Sequence, residues 1–179
     1  SSNCLITKAN NTVVAGCKTS VLPLGVTAIG AYAFYGCETF TNNFILINGI
    51  ESIGEGAFMD CLALTGELEL PGSVITICAY AFAGCINLDG TLFIPNSVTT
   101  IGAYGFAGCN EIESVNFSSS VSSIGDYAFS GCYGVEKYYY VYHTSAPTLG
   151  FLAFNEIDSE CKIFVAEEVY DAWLSTSLW

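Results

Sequence analysis

Nine cysteines stand among the 179 residues, and five of them, at positions 37, 61, 85, 109 and 132, are the first candidates for chemistry. A thiol can pair, ligate a metal or act as a nucleophile. The steps between these five are 24, 24, 24 and 23 residues, and the C-x-x-C spacing of a metal site is absent. Such equal steps put one cysteine in the same slot of successive structural turns, where a small thiol packs as a hydrophobe. Side chains in equivalent slots run parallel instead of converging, so they are not expected to form disulfides, and an odd number leaves one cysteine unpaired. Cys4 and Cys17, on segments that read as facing hairpin strands, are the only candidate pair.

Other reactive residues are few. His143 is the single histidine, and it follows Tyr138-Tyr139-Tyr140-Val141-Tyr142 with no partner at a catalytic spacing. Neither a Gly-x-Ser-x-Gly elbow, a His-Glu-x-x-His helix nor a phosphate-binding glycine loop occurs. Two carboxylates could in principle hydrolyse a glycoside, but the acidic residues are scattered through turns and strands and read as solvated surface. No enzyme activity, cofactor or metal is expected.

The elements that carry these residues are themselves periodic. The segment Val26-Thr27-Ala28-Ile29-Gly30-Ala31-Tyr32-Ala33-Phe34-Tyr35-Gly36-Cys37 recurs from Ile50 to Cys61, Val74 to Cys85, Val98 to Cys109 and Val121 to Cys132. Between the copies lie short alternating stretches, Leu68-Glu69-Leu70-Pro71, Leu92-Phe93-Ile94-Pro95 and Val115-Asn116-Phe117-Ser118. Alternation bounded by Gly, Pro or Ser predicts a strand with one buried face. A turn of about 24 residues cannot bury its own Leu, Val, Ile and Phe side chains, but stacked turns cover one another, so the stack is the core. Ala-Tyr-Ala-Phe lacks strand alternation and predicts a short helical or 3-10 turn. Gly30, Gly54, Gly102 and Gly125 follow the inward Ile, where a bend or a positive φ is expected; Cys78 holds that place in the third copy.

The ends of the stack are expected to be closed. Residues 1–25 read as a hairpin cap, 26–154 as the repeats, and 155–179 as a C-terminal cap within one domain. Leu149-Gly150-Phe151-Leu152-Ala153-Phe154 reads as a sixth copy without its cysteine, and Ile163-Phe164-Val165 as a last strand. Apolar residues at 169, 170, 173 and 174 have helical spacing, with acids in the first turn. The chain begins Ser1-Ser2-Asn3 and reads as a mature or trimmed fragment, so a targeting segment is not expected within it.

Charge excludes some partners. Four basic and 17 acidic residues give a net charge of −13, which repels a nucleic-acid backbone or an anionic membrane. Apolar runs such as Phe44-Ile45-Leu46-Ile47 stop far short of the roughly 20 residues that span a bilayer, so direct insertion is not expected.

The repeated Val-x-x-Ile-Gly-x-x-Ala-Phe-x-Gly-Cys block with its Leu-x-Leu-Pro strand resembles the BspA-type leucine-rich repeats of surface proteins from anaerobic bacteria and some protists. The likeness covers nearly the whole chain; Asp60, Cys78, Gly105 and the Pro-free stretch from Asn42 to Gly49 depart from it. It implies an α+β solenoid with a parallel sheet on one face, short helical or 3-10 turns on the other, an N-terminal hairpin and a C-terminal helix. It also implies a secreted or surface-displayed protein that adheres to host or neighbouring-cell proteins or glycans. The alternative role is a structural spacer that displays other domains. Solenoids commonly bind through their extended concave sheet, and the strand alternation turns Asn43, Ile45, Ile47, Glu67, Glu69, Thr91, Phe93, Ser114, Asn116, Lys137, Tyr139 and Val141 outward. Ile45, Glu67, Glu69, Thr91, Phe93, Asn116 and Tyr139 are the candidate ligand contacts. A slip of one residue would turn all of them into core.

Overall fold

A computed structural model of the chain describes residues 4–16, 21–38, 44–140 and 145–175. His143, Cys17, Asn43 and Val141 lie outside the described residues, and with them the Cys4–Cys17 pairing.

The chain winds into a parallel β-solenoid of about six turns. β1 (Leu5–Ile6) and β2 (Thr12–Ala15) form an antiparallel hairpin. β2 then continues into a parallel row of two-residue strands: β3 (Ala28–Ile29), β4 (Ser52–Ile53) and β5 (Thr76–Ile77). β6 (Asp89–Ile94) belongs to a second sheet; the first resumes with β7 (Thr100–Ile101). β8 (Glu111–Phe117) pairs with β6, and β9 (Ser123–Ile124) with β7. β10 (Lys137–Tyr140), β11 (Thr148–Leu149) and β12 (Lys162–Val165) complete the two sheets, whose orders are β1-β2-β3-β4-β5-β7-β9-β11 and β12-β10-β8-β6.

Each buried position of the repeat forms a ladder. Val13, Ile29, Ile53, Ile77, Ile101, Ile124 and Leu149 pair in register through the first sheet. Phe34, Phe58, Phe82, Phe106, Phe129 and Phe154 stack ring on ring, with centroids 5.0, 5.2, 5.2, 5.4 and 5.6 Å apart. The planes stay within 8° of parallel along the stack. The Ala-Phe pair of the repeat thus does what its sizes demand, a small residue making room beside a large one.

The face opposite the long strands differs from expectation. The Val-x-x-Ile segment makes the parallel rungs of the first sheet, and the segment after it is a stack of turns, not a helix. Its N–H groups alternate: Ala33 donates to Gly30 O, Tyr35 to Tyr32 O and Cys37 to Phe34 O, while Tyr32, Phe34 and Gly36 donate to Glu55, Ala57 and Met59 of the next turn. The bonds of the first kind are 3-10-like but isolated, because each alternate donor is committed to the neighbouring turn. Left-handed residues at Tyr32 and Gly36, repeated at Gly56 and Asp60, Tyr80 and Gly84, Tyr104 and Gly108, and Tyr127 and Gly131, stop a helix from propagating.

The glycine after the inward Ile serves close packing of the turns and not the expected positive φ. Gly30, Gly54, Gly102 and Gly125 have no positive φ. They are small because backbone lies against backbone: a Cβ on Gly102 would meet Ala79 N and Cys78 C at 2.5 Å, and one on Gly125 would meet Ala103 N at 2.5 Å.

The long-strand sheet also begins later than the alternation predicts. Leu68 is buried and Glu67 and Glu69 are exposed, as in a strand, but among the described residues the ladder pairing of this rung with the next is the isolated Gly66–Leu88 bridge. Beside it lies a cleft of about 530 Å3 lined by Phe44, Phe58, Leu64, Glu67, Leu68 and Phe82. At the other end, Phe154 places the sixth copy in the stack, and the 3-10 turn Glu167–Val169 runs into a helix, α1 (Tyr170–Leu174). Val169 and Trp173 are buried, with the Trp173 ring 4.8 Å from Tyr140, whereas Tyr170 and Leu174 face out. No helix among the described residues is long and apolar enough to cross a membrane.

Candidate functional site

Four of the five repeat thiols are packing groups, while Cys37, at the first rung, is only half-buried. Cys61, Cys85, Cys109 and Cys132 are wholly buried, and the Cys85, Cys109 and Cys132 S–H groups donate to the carbonyls of Phe58, Phe82 and Phe106 in the preceding turn, at 3.0, 3.2 and 3.1 Å. Burial pushes Cys61 and Cys132 up to about 12, and Cys85 and Cys109 also well above the ordinary thiol value. A thiol in that state is a poor nucleophile and a poor metal ligand. Among the described residues no three His, Cys, Asp or Glu side chains gather as a metal site would require.

The sign of the linkage is fixed by these shifts. The native thiols hold protons that unfolded thiols release above about pH 8.5. Their contribution to stability is full below that pH and is lost as pH climbs towards about 12 at Cys61 and Cys132. Tyr138 and Tyr140, also raised by burial, act in the same direction. The urea midpoint is therefore expected to fall steadily above about pH 9. Cys85, Cys109 and Cys132 should resist alkylation at pH 8 until urea unfolds the chain; labelling of all three in the native protein would sink this assignment.

What the fold offers to solvent is the outer face of the second sheet. Inward side chains alternate with outward ones as the sequence predicts: Leu92, Ile94, Val115, Phe117, Tyr138 and Tyr140 are buried, and Phe93 is 57% exposed. Pairing in register brings the outward residues into two rows across the rungs. One is Thr91, Ser114, Lys137 and Lys162; the other is Phe93, Asn116, Tyr139 and Phe164. Thr91 Oγ1 and Ser114 Oγ are hydrogen-bonded at 2.9 Å. The Tyr139 and Phe164 rings stack at 5.0 Å and 12°, and a groove of about 560 Å3 runs along Phe93, Asn96, Asn116, Ser118, Ser119 and Tyr139.

Of the candidate contacts, Thr91, Phe93, Asn116 and Tyr139 thus come together on one surface. Ile45, Glu67 and Glu69 do not join them: they border the cleft before β6, where the ladder is broken. Ile45 is 62% exposed. Lys162 and Phe164 complete both rows but escaped the sequence reading, although Lys162-Ile163-Phe164-Val165 repeats the alternation of Lys137-Tyr138-Tyr139-Tyr140. A second aromatic row, half-buried along the turns, also escaped it. Tyr80, Tyr104 and Tyr127 stack along the turns at 4.7 and 4.9 Å, with Phe151 edge-on to Tyr127. The recurrence of Tyr two residues before Phe was its signal, broken at Gly56, whose place the Tyr32 ring overlies.

Comparison with known proteins gives a family and three neighbours. The family described as BspA type Leucine rich repeat region matches residues 13–136 and 63–169, in six copies. A leucine rich cell surface protein from Faecalibacterium prausnitzii A2-165 is 31% identical, with a TM-score of 0.63 over 71% of this chain and 34% of that one. The leucine rich repeat protein TpLRR of T. pallidum is 23% identical, with a TM-score of 0.61 and 89% of each chain covered. The pneumococcal vaccine antigen PcpA is 18% identical, with a TM-score of 0.68 over 96% of this chain and 43% of that one. The last two likenesses are of fold alone. The chain spans about a third of the length of the Faecalibacterium protein and under half of the pneumococcal antigen. No curated protein matches the sequence.

Proposed function

The chain belongs to the BspA-type leucine-rich repeat family, and from that premise we propose that it is a non-catalytic recognition module which binds a protein or glycan ligand through the outer face of its second sheet. The observation that carries this reading is the row Phe93, Asn116, Tyr139 and Phe164, aromatic and amide side chains held at rung spacing, with both end rings exposed and the two middle residues partly so. Exposed aromatics beside polar groups are what recognition surfaces are rich in. Secretion or surface display, and adhesion to host or neighbouring cells, fit a family with a cell-surface relative. The whole chain then acts as one unit, its hairpin and C-terminal helix closing the stack, with residues of the intervening turns free to vary outward.

The test is a binding screen of the chain against extracellular-matrix proteins and glycans, with Phe93→Ala and Tyr139→Ala beside it. Truncating an anchor ring should cost about 2 kcal/mol of binding, roughly thirtyfold in affinity. Binding untouched by both changes would reject this face. A screen with no ligand at all would favour the spacer reading.

A further inference from the structure

We propose that the ligand of this face is an acidic saccharide, its sugar ring resting in the groove against Tyr139 and its carboxylate or sulfate held by Lys137 and Lys162. The inference rests on the recognition reading above and adds the ligand class. It starts from where the few cations are. The chain has four lysines and no arginine against 17 acids, yet two of the four are direct neighbours in register on adjacent strands, pointing out of one sheet face. Like charges directly opposite in a sheet repel and destabilise it, so the pair is a cost to folding that the rest of this face does not require. Glu136 Oε2 holds Lys137 Nζ at 3.3 Å, and this is the one ion pair among the described residues, which leaves the exposed Lys162 ammonium uncompensated there. Physiological salt screens charge beyond about 8 Å, so an anion here meets chiefly these two lysines and the acids beside them, Glu113, Glu136 and Glu160, with Lys162 the ammonium that no ion pair among the described residues engages.

The aromatic half of the site lies beside it. Tyr139 is two residues beyond Lys137 and Phe164 two beyond Lys162, roughly 7 Å along the strands. Phe164 covers one face of the Tyr139 ring. The other face looks along the stack to the Asn116 rung, and Phe93 stands one rung further, about 9.6 Å from Tyr139 at the usual strand spacing. The slot between them has Asn116 on its floor, with Asn96, Ser118 and Ser119 at its end. Its volume of about 560 Å3 is within the range of small-ligand sites. An apolar ring face for C–H groups, amide and hydroxyl groups for sugar hydroxyls, and the lysines for an anion suit an acidic pyranose better than an extended acidic peptide, whose glutamate side chains have no ring face to lay against Tyr139 in the slot.

The experiment uses N-acetyllactosamine, its sialylated form and its sulfated form, with a polyglutamate peptide as the competing anion, in calorimetric titrations of the chain. Either acidic saccharide should bind at least tenfold more tightly than the neutral one, and high salt should remove the difference. Lys137→Gln with Lys162→Gln should abolish that preference, and Tyr139→Ala should weaken all saccharides. Thermal unfolding supplies a separate reading: Lys162→Gln should melt no lower than the parent, since it relieves a repulsion. Equal binding of neutral and acidic forms, full binding by the double variant, or tighter binding of polyglutamate would each overturn the proposal. A protein ligand that needs Phe93, with no saccharide bound, would overturn it and leave the recognition reading standing.

Discussion

Replacing Phe82 by alanine is expected to lower stability by about 3–5 kcal/mol, the range for removing a large buried ring without collapse of its site. Phe82 is completely buried and sits inside the stack, 5.2 Å from Phe58 on one side and 5.2 Å from Phe106 on the other. Its loss opens a cavity and also breaks two ring contacts, each worth about 0.5–1.5 kcal/mol beyond area burial. Because each turn touches only its neighbours, the damage is charged to two interfaces at once. Phe154→Ala is the comparison: that ring is half-buried at the end of the stack, parallel to Phe129 and edge-on to Tyr138. Urea unfolding should show a clearly smaller loss for Phe154→Ala. Equal losses would mean that the ladder does not act as a stack.

Gly102→Ala should be nearly as damaging for the opposite reason, the addition of one methyl group. That carbon would sit 2.5 Å from Ala79 N and Cys78 C and 2.8 Å from Cys78 O, all backbone atoms of the preceding turn. Side chains can rotate away from an intruder, but hydrogen-bonded backbone cannot, since Gly102 N already donates to Ile77 O at 3.0 Å. A cost of about 3 kcal/mol, at the upper end for overpacking, is expected. Gly72 is the control, with nothing within 4 Å of a built Cβ and no positive φ. Gly72→Ala should leave the urea midpoint unchanged or raise it slightly. If the two variants unfold alike, close approach of the turns is not what the glycine serves.

The ladders were legible because the same residue type returns at each inward place. Phe at 34, 58, 82, 106 and 129, with Cys three residues on, can only be stacked if the turns are equal, and period-2 alternation gave the outward register of Phe93, Asn116 and Tyr139 correctly. The reason why Gly102 and its equivalents recur was not legible, because a positive φ and a close backbone approach both select glycine; only coordinates separate them. Alternation likewise could not reveal where hydrogen bonding stops. Leu68 faces the core as a strand residue would, yet its rung parts from β6, so Ile45, Glu67 and Glu69 were grouped with a face they do not share. The single 23-residue step was visible, but not the irregularity beside it: the pairing of β6 with β8 passes over Glu113 between Gly90 and Thr91 and then holds an offset of 23 residues from Thr91↔Ser114 to Ile94↔Phe117.

The alternating donors of the turn stack make length a free variable. Tyr32 N–H reaches Glu55, Gly56 N–H reaches Ala79, Tyr80 N–H reaches Ala103 and Tyr104 N–H reaches Asp126, so each turn hands its successor the same pattern that it receives. Duplication of one 24-residue unit would therefore create no interface that does not already exist, and would lengthen the displayed surface by about 4.8 Å. In evolutionary terms the scaffold is a ruler graduated in rungs, on which a footprint can be extended one row at a time while the interior stays as it is.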